Sequence, residues 1–338
     1  MNDFQLAIRH EGHDKIPVWF MRQAGRYMAL YQEIKKDHSI REICMDAGLT
    51  EKITYEPVKI LNVDAAIIFA DIILPLEAMG FKIDFLESGP SISNGYINNP
   101  DMHGISQFTE SGLKYKTIES IKLFRRLHPG TPLIGFSGGI ITILSYLLTG
   151  TSDNNLAFTK KIMLNDKKFN DYRKLVKDMV IKYLKIQINA GVDAVQIFDS
   201  WAGALSPYYF ERYLKDDIIE IVNEIRGTVP LIYFATGNSG MIEEFNDIKP
   251  DYLSVDWRIK LSHARKVLDS SIGLQGNLDP YTVQYSGAQS LREADYILGE
   301  DFDKNEYIFN LGHGVLPKTD ASTLKNLAEH VHNFEKNK

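Results

Sequence analysis

Short apolar runs rich in β-branched and aromatic residues alternate along the chain with segments of helical period. This alternation is typical of βα units and of a parallel sheet covered on both faces. Eight such runs predict strands: Pro17–Phe20, Ala65–Ala70, Pro132–Phe136, Ala194–Phe198, Leu231–Ala235, Tyr252–Asp256, Ile272–Gln275 and Tyr307–Asn310. Eight units in 338 residues predict an α/β fold, a single (β/α)₈ TIM-type barrel whose one domain spans residues 1–338.

An internal repeat supports this prediction. The nine residues 63–71, VDAAIIFAD, align with residues 192–200, VDAVQIFDS, and the second copy follows a predicted helix, Leu175–Asn189, with Gly191 in a helix-stop position. In this alignment Asp71 and Ser200 hold equivalent places just past a strand. Because active-site groups of barrels gather at that end of the strands, both residues become candidates.

The first predicted strand leads directly into two arginines, Arg22 and Arg26, with Gly25 between them and Tyr27 behind. Arginine presents a planar, always charged fork of donors that matches a carboxylate. Two such forks at a strand exit predict a site for a ligand with several carboxylates. The alternative is a structural salt bridge to Glu33 or Asp71.

Polar residues also follow the other predicted strands: Asp71, Ser137, Asp199, Ser200, Thr236, Trp257, Arg258, Asn277 and His313. Each candidate has a plainer interpretation. Asp71 and Ser200 are also suited to cap a helix, and Tyr146, on a predicted helix over Ile141–Leu148, is also suited to the core. The glycines flanking His313 indicate a backbone that a ligand approaches closely, whereas the alternative is a solvated loop.

The composition narrows the class of protein. A hydrophobic fraction of 44% and a charged fraction of 24% are ordinary for a globular chain, and a net charge of −6 argues against a nucleic-acid surface. The single cysteine, Cys44, excludes an internal disulfide and a multi-cysteine metal site. With no signal-like N-terminus and no run long enough to span a bilayer, the sequence predicts a cytoplasmic protein without a membrane partner.

Familiar catalytic patterns are absent from the sequence. The segment His10-Glu11-Gly12-His13 is one residue short of the zinc-protease spacing, and neither a dinucleotide fingerprint nor a phosphate-binding P-loop occurs.

The ordered motifs resemble the uroporphyrinogen decarboxylase family. They are PVWFMRQAGRY at 17–27, FADI at 69–72, GFSG at 135–138 with Thr142 and Tyr146, FDSWAG at 198–203, LQGNLDP at 274–280, NLGHG at 310–314 and VLPKT at 315–319. These matches run in order from about residue 16 to 320 and therefore cover nearly the whole chain.

The resemblance implies a barrel, a homodimer, and removal of the four acetate carboxyls of uroporphyrinogen III as CO₂, giving coproporphyrinogen III without metal or other cofactor. It implies that Asp71, Arg22 and Tyr146 are catalytic, Asp71 by holding the pyrrole N–H groups. The substrate-binding residues implied are Arg22, Gln23, Ala24, Gly25, Arg26, Asp71, Tyr146, Ser200 and His313. The binding partner implied is therefore a small molecule, the tetrapyrrole substrate.

The chain departs from the family pattern at several places: Ile140-Ile141, Thr149, Ala29, Lys35 and Asp320. These departures bear on the rigidity of local loops and on one peripheral contact to a substrate carboxylate. Two other functions remain open at this point. One is a corrinoid-linked methyltransferase, whose zinc would need histidine and cysteine ligands, and the other is a non-catalytic porphyrin-binding barrel.

Overall fold

A parallel β-sheet with helices packed around it forms the centre of the computed structural model, which describes residues 1–86 and 89–334. Seven parallel strands lie side by side in chain order, so each pairs with the next one along the chain, and a separate antiparallel hairpin is inserted after the first. This is an α/β fold with a curled sheet. The single-domain prediction extends to residue 338, and residues 87–88 and 335–338 lie outside the described part.

The strands of the sheet are Ala66–Ile67 (β1), Leu133–Gly138 (β4), Ala194–Phe198 (β5), Leu231–Phe234 (β6), Tyr252–Ser254 (β7), Gly273–Leu278 (β8) and Tyr307–Leu311 (β9). Each overlaps one of the predicted runs, although β1 covers only two of the six residues predicted for it. Nearly every side chain in them is buried, as expected for strands covered on both faces.

The predicted run Pro17–Phe20 differs. Only Val18 pairs in the manner of a strand, through an isolated parallel bridge to Phe309. Pro17 has no N–H to donate, the Val18 N–H goes to the Asp64 side chain at 2.6 Å, and the Phe20 N–H goes to the Gln23 side chain at 3.0 Å. The α/β prediction is therefore confirmed as a seven-stranded parallel sheet, whereas the predicted first strand forms only a bridge and the closed eight-stranded barrel stays a prediction.

A recurring aspartate ties neighbouring segments of the sheet together. Asp193, just before β5, accepts a hydrogen bond from the N–H of Leu133, the first residue of β4, at 2.8 Å. Asp251, just before β7, does the same for Leu231, the first residue of β6, at 2.8 Å. Asp64 repeats the arrangement with Val18.

The α-helices are Asp3–Ala7 (α1), Ala29–Asp37 (α2), Ile40–Met45 (α3), Ala47–Leu61 (α4), Thr117–Leu127 (α5), Ile140–Thr149 (α6), Ala157–Asn165 (α7), Lys168–Ala190 (α8), Pro207–Phe210 (α9), Asp216–Ile225 (α10), Phe245–Ile248 (α11), Leu261–Val267 (α12), Pro280–Tyr285 (α13), Gly287–Leu298 (α14) and Ala321–His332 (α15). Short 3₁₀ or π turns occupy Leu74–Met79, Glu110–Gly112, Asn154–Leu156, Ala202–Ala204, Glu211–Lys215, Asn238–Glu244 and Lys304–Glu306. None of the helices in the described ranges is both long and apolar enough to cross a membrane.

Two helix predictions are confirmed. The predicted helix Leu175–Asn189 lies inside α8, and Gly191 ends that helix with φ of 109°, a left-handed conformation that favours glycine. The predicted helix around Tyr146 is α6.

An antiparallel hairpin was not predicted. Its strands Ile83–Leu86 (β2) and Gly89–Ile92 (β3) pair Ile83 with Ile92 and Leu86 with Gly89. Glycine and proline in the second strand lower its β-propensity, so the sequence carried only a weak strand signal there.

The interior of the sheet contains a small buried polar cluster. Gln275 on β8 accepts a hydrogen bond from the Trp19 indole N–H at 2.9 Å and donates to Gln196 on β5 at 3.0 Å and to Ser254 on β7 at 2.9 Å. These bonds link three strands and the Pro17–Phe20 run through side chains, because buried polar groups require partners.

Candidate active site

A cavity of about 180 Å³ opens where the carboxyl ends of the parallel strands meet. It is lined by Met21, Arg22, Ala24, Ile67, Ile68, Phe69, Ala70, Asp71, Ile72, Phe136, Phe198, Ser200, Phe234, His313 and Gly314. Five of the nine predicted site residues are therefore together: Arg22, Ala24, Asp71, Ser200 and His313. We call this space the inner cavity.

Arg22 is positioned by the segment that follows β9. The residue before it, Met21, donates its N–H to Asn310 at 3.1 Å and accepts the N–H of Val315 at 2.7 Å. A Cβ on Gly314 would lie 2.5 Å from Cδ of Arg22, so a glycine there leaves room for the arginine side chain. Arg22 itself has a positive φ of 61°, an uncommon conformation for a non-glycine residue.

The structural alternative for the arginine pair is not supported. In residues 1–86 and 89–334 neither Arg22 nor Arg26 forms an ion pair with Glu33, Asp71 or another carboxylate, and both residues are exposed. Their charges are therefore available to a ligand.

Asp71 follows β1 and is the carboxylate of the inner cavity. Its Oδ1 accepts a hydrogen bond from the N–H of Ile73 at 3.1 Å, which closes a local turn. Asp71 is not a helix cap, because the next helical turn begins at Leu74 and Ile73 holds the capping position. Burial raises the pKa of Asp71, while the Ile73 hydrogen bond and the charge of Arg22 act in the opposite direction. The carboxyl consequently holds a proton more readily than an aspartate in water.

His313 is neutral at pH 7. Burial, and then the nearby charge of Arg22, lower its pKa to about 4. A neutral imidazole can donate a hydrogen bond from one nitrogen and accept at the other.

The glycines that flank His313 serve a different purpose from the one expected. They were expected to let a ligand approach the backbone; Gly314 lines the inner cavity, but protein groups occupy the space where a Cβ would lie at either glycine. A Cβ on Gly312 would lie 2.7 Å from the backbone N of Trp257, and Gly314 accommodates Arg22. The expectation was wrong for Gly312, because Trp257 packs on it.

An aromatic wall lines the inner cavity and was not predicted as part of the site. Phe136, Phe198 and Phe234 stand at or near the ends of β4, β5 and β6, with ring centroids 5.5 and 5.9 Å apart and edge-to-face angles of 84° and 68°. The ring centroids of Phe234 and His313 are 5.9 Å apart. The signal in the sequence was an aromatic residue near the end of three successive apolar strands, and such a wall suits the face of an organic ring.

Tyr146 lies close by on α6, outside the residues that line the inner cavity. Burial and the Asp71 carboxylate raise its pKa, and Arg22 opposes this rise, so the three groups are within electrostatic reach. Ser200 faces the cavity, and its carbonyl accepts the Thr236 hydroxyl at 2.5 Å. Ser200 does not hold the capping position, because the 3₁₀ turn that follows begins at Ala202 with Trp201 before it.

Arg26 lies in a second, larger space of about 720 Å³, which we call the outer cavity. It is lined by Arg26, Tyr31, Gln32, Lys35, Lys36, Ser39, Ile40, Arg41, Asp84, Phe85 and Leu86. Tyr31 of the outer cavity and Phe69 of the inner one have ring centroids 5.6 Å apart, so an aromatic pair separates the two spaces.

Besides Tyr146, two predicted site residues line neither cavity. The Gln23 side chain is fully buried and bonds Phe20 N–H at 3.0 Å and the Ala65 carbonyl at 2.9 Å. Gly25 lies between the cavities' arginines and lines neither of these two spaces.

The remaining strand-end candidates make internal bonds. Ser137 donates to a neighbouring carbonyl at 3.1 Å, and Asn277 donates to two carbonyls at 3.0 and 2.7 Å. Arg258 pairs with Asp256 and lies over the Trp257 ring. These residues hold the strand-end loops in place.

No cluster of three or more histidine, cysteine, aspartate or glutamate side chains suited to a metal occurs in the part of the chain that the structure describes. Cys44 is buried in an apolar cluster with Leu74 and Tyr115, and burial raises the pKa of its thiol to about 12.

The fold and site define a class: an α/β protein whose parallel strands end at a cavity with an aromatic wall, one half-buried carboxylate, a free arginine and a neutral histidine. The sequence pattern of the family described as uroporphyrinogen decarboxylase (URO-D) matches residues 1–334. The chain belongs to this family.

Similar proteins agree. A uroporphyrinogen decarboxylase from Picrophilus torridus is 53% identical over 334 residues, covering 99% of both chains. One from Thermoplasma acidophilum is 40% identical, covering 98% of this chain and 99% of its own. The solved structure of a methyltransferase from Methanosarcina mazei superposes with a TM-score of 0.80 at 20% identity, covering 97% of each chain, which shows a shared fold alone.

Proposed function

We propose that this protein decarboxylates uroporphyrinogen III in porphyrin biosynthesis, converting its four acetate side chains to methyls and releasing coproporphyrinogen III. The observation that carries the proposal is the inner cavity. In it Asp71 stands within electrostatic reach of Arg22 and Tyr146 in a chain that belongs to this family over residues 1–334. The proposal includes that no metal or organic cofactor takes part.

The two cavities bind different parts of a large anionic substrate. Ligand pockets for drug-sized molecules commonly reach about 300–1,000 Å³, so the inner cavity of about 180 Å³ accommodates only part of a tetrapyrrole. We assign the reacting ring to the inner cavity, against the aromatic wall. The outer cavity, with Arg26, Lys35 and Lys36, takes carboxylates at the rim of the macrocycle.

The chemistry requires a place for the electron pair left by CO₂. Protonation of a pyrrole α-carbon creates a cationic, iminium-like ring that accepts this pair when the C–C bond breaks. The resulting exocyclic methylene then takes a proton to become the methyl, and the ring loses the proton first added. The net change per acetate is uptake of one proton and release of one CO₂.

Asp71 supplies the negative charge that this cationic ring needs. Its carboxylate accepts hydrogen bonds from the pyrrole N–H groups and stabilises the intermediate electrostatically. Arg22 binds a carboxylate of the substrate, and Tyr146, Ser200 and His313 complete the contacts. Because His313 is neutral, it adds a hydrogen bond without opposing the positive ring.

The test is anaerobic incubation of the purified protein with uroporphyrinogen III, without added metal, followed by oxidation and chromatography of the porphyrins. Stepwise loss of four carboxyls is expected. Asp71→Asn should keep the wild-type melting temperature and lose about a hundredfold or more in turnover, since shape stays while the charge goes. Near-normal turnover by that variant would remove Asp71 from the mechanism.

The alternative functions give different results in the same assay. A non-catalytic porphyrin-binding barrel would bind without turnover. A corrinoid-linked methyltransferase would instead require zinc bound by histidine and cysteine, and Cys44, the single cysteine of the chain, packs in an apolar cluster with a raised pKa. That burial favours the decarboxylase.

We also propose that the chain is one domain and that its sheet closes as an eight-stranded TIM-type barrel, with Pro17–Phe20 as the eighth strand. The bridge between Val18 and Phe309 supports closure at β9, and Asp64 binds Val18 as Asp193 binds the first residue of β4. By family resemblance we place the protein in the cytoplasm as a homodimer, which sedimentation of the purified protein tests. Binding of nucleic acid or membranes is not part of the proposal.

A further inference from the structure

A buried carboxylate next to the site has no role in the scheme above. Asp199 is fully buried and directly precedes Ser200 at the end of β5. Its Oδ1 accepts two hydrogen bonds from Thr142, from the N–H at 2.9 Å and from the hydroxyl at 2.7 Å, while its Oδ2 accepts the Tyr233 hydroxyl at 2.9 Å. Such a charge is retained in a protein interior only when hydrogen bonds compensate it.

Through these bonds Asp199, which follows β5, caps the N-terminus of α6. Thr142 is the third residue of α6, whose first N–H groups have no partner within the helix. The residue in the normal capping position is Gly139, which has no side chain to cap with. A Cβ on Gly139 would lie 2.2 Å from Cβ of Asp199, so the glycine leaves the space that the aspartate fills.

The same bonds connect two candidate site residues. Tyr146 stands one turn beyond Thr142 on α6, and Ser200 is the neighbour of Asp199. On the other side of Ser200, the N–H of Trp201 donates to the Thr142 hydroxyl at 3.2 Å. The turn that carries Ser200 is thus bonded to Thr142 on both sides.

We propose that Asp199 is a positioning residue, which fixes the start of α6 to the end of β5 and thereby sets Tyr146 and Ser200 relative to each other around the reacting ring. This inference rests on the proposed function and deepens it. A displacement of about 1 Å in a reacting group costs about a hundredfold in rate, so loss of the carboxylate should appear in turnover and not only in stability.

The chain contains a matched control for this cap. Asp153 is buried and accepts the N–H of Thr159 at 2.7 Å and its hydroxyl at 2.8 Å. Thr159 is the third residue of α7, just as Thr142 is the third residue of α6. Asp153 and Thr159 line neither cavity, so they reproduce the chemistry of the cap without the site.

The experiment compares Asp199→Asn with Asp153→Asn, and Thr142→Val with Thr159→Val, by thermal melting and by kcat and KM with uroporphyrinogen III. All four variants should melt at lower temperature. Asp199→Asn and Thr142→Val should lose about ten- to a hundredfold in kcat with a smaller change in KM, whereas the controls should stay within about twofold. Thr142→Ser, which keeps the hydroxyl, should restore most of kcat.

Two results would overturn the proposal: a kcat within about twofold of wild type for Asp199→Asn or Thr142→Val, or equal kcat losses in the control pair. If Asp199→Asn does not fold, the Thr142 pair decides. Failure of the proposed function looks different, because the wild-type protein then leaves uroporphyrinogen III unchanged. In that case binding of oxidised uroporphyrin tests the positioning, and the site variants should bind at least about fivefold more weakly than the controls.

Discussion

At the scale of single residues, the protein surroundings shift the pKa values of two site residues in opposite directions. Burial raises the pKa of Asp71, and burial with the charge of Arg22 lowers the pKa of His313 to about 4. Both shifts favour the neutral form, which is the usual effect of a low-dielectric surrounding. Burial therefore opposes the carboxylate form of Asp71 that the proposed mechanism uses, while the charge of Arg22 and the Ile73 hydrogen bond favour that form.

The lowered pKa of His313 predicts a pH dependence of stability. In the unfolded chain a histidine takes up a proton near pH 6.5, whereas in the folded protein His313 does so only near pH 4. The unfolded state thus binds more protons between these values, and stability is lost as pH falls from about 6.5 towards 4.

His313→Gln should remove part of this loss. We expect the fall in unfolding free energy across that range to be smaller by about 2 kcal/mol than in the wild type, after allowance for the partial exposure of the ring. Urea unfolding at several pH values measures it. His103→Gln, at an exposed histidine, is the control, and equal slopes for both variants would contradict the assignment.

The sequence identified these residues because strand exits concentrate polar groups. It placed Arg22, Asp71, Ser200 and His313 after predicted strands, and the cavity brings them together. The run before Arg22 forms only a bridge, whereas β1, β5 and β9 precede the other three residues. It did not identify the aromatic wall, because phenylalanines such as Phe136, Phe198 and Phe234 are equally expected in a strand that is simply buried in the core. Only the three-dimensional arrangement distinguishes a cavity wall from a core.

At the scale of elements, the first predicted strand is the informative difference. A hydrophobic run predicts burial, and Pro17–Phe20 is indeed buried, but its backbone pairs with the backbone of other described segments only through two hydrogen bonds with Phe309 and one with Asp64. Proline removes one donor, and two other N–H groups bond side chains. The hairpin β2–β3 shows the reverse case, in which backbone pairing forms despite glycine and proline.

The aspartates that precede strands predict how the ends of the sheet are joined. If Val18 is part of a closing strand, Asp64→Ala should lower the unfolding free energy by about 1–3 kcal/mol, because it leaves the Val18 N–H without its acceptor. Chemical denaturation measures this. Asp64 also binds His332 at 2.7 Å, so a His332→Gln variant separates the contribution of that contact.

Asp251→Ala is the matched comparison, since Asp251 binds the first residue of β6 within the established sheet. Similar losses for the two aspartates would support a closed barrel. A neutral Asp64→Ala beside a destabilised Asp251→Ala would show that the Pro17–Phe20 run is not an integral strand.

At the scale of the whole molecule, a net charge of −6 coexists with a basic outer cavity. Arg26, Lys35 and Lys36 gather on and around α2, and Arg41 on α3 pairs with Glu77 at 2.6 Å. A local field of this kind attracts a polyanion to one face although the protein as a whole repels it. The sum of charges in the sequence argues against a nucleic-acid surface but gives no information about where the cations gather.

The positions of the tryptophans have an optical consequence. Trp201 follows Ser200 and bonds Thr142, Trp257 packs on Gly312 beside His313, and Trp19 lies in the core, bonded to Gln275. These are the three tryptophans of the chain, and two of them adjoin the inner cavity. The protein thus carries its own fluorescent reporters, whose emission overlaps the absorption of an oxidised porphyrin and would be quenched as that ring enters.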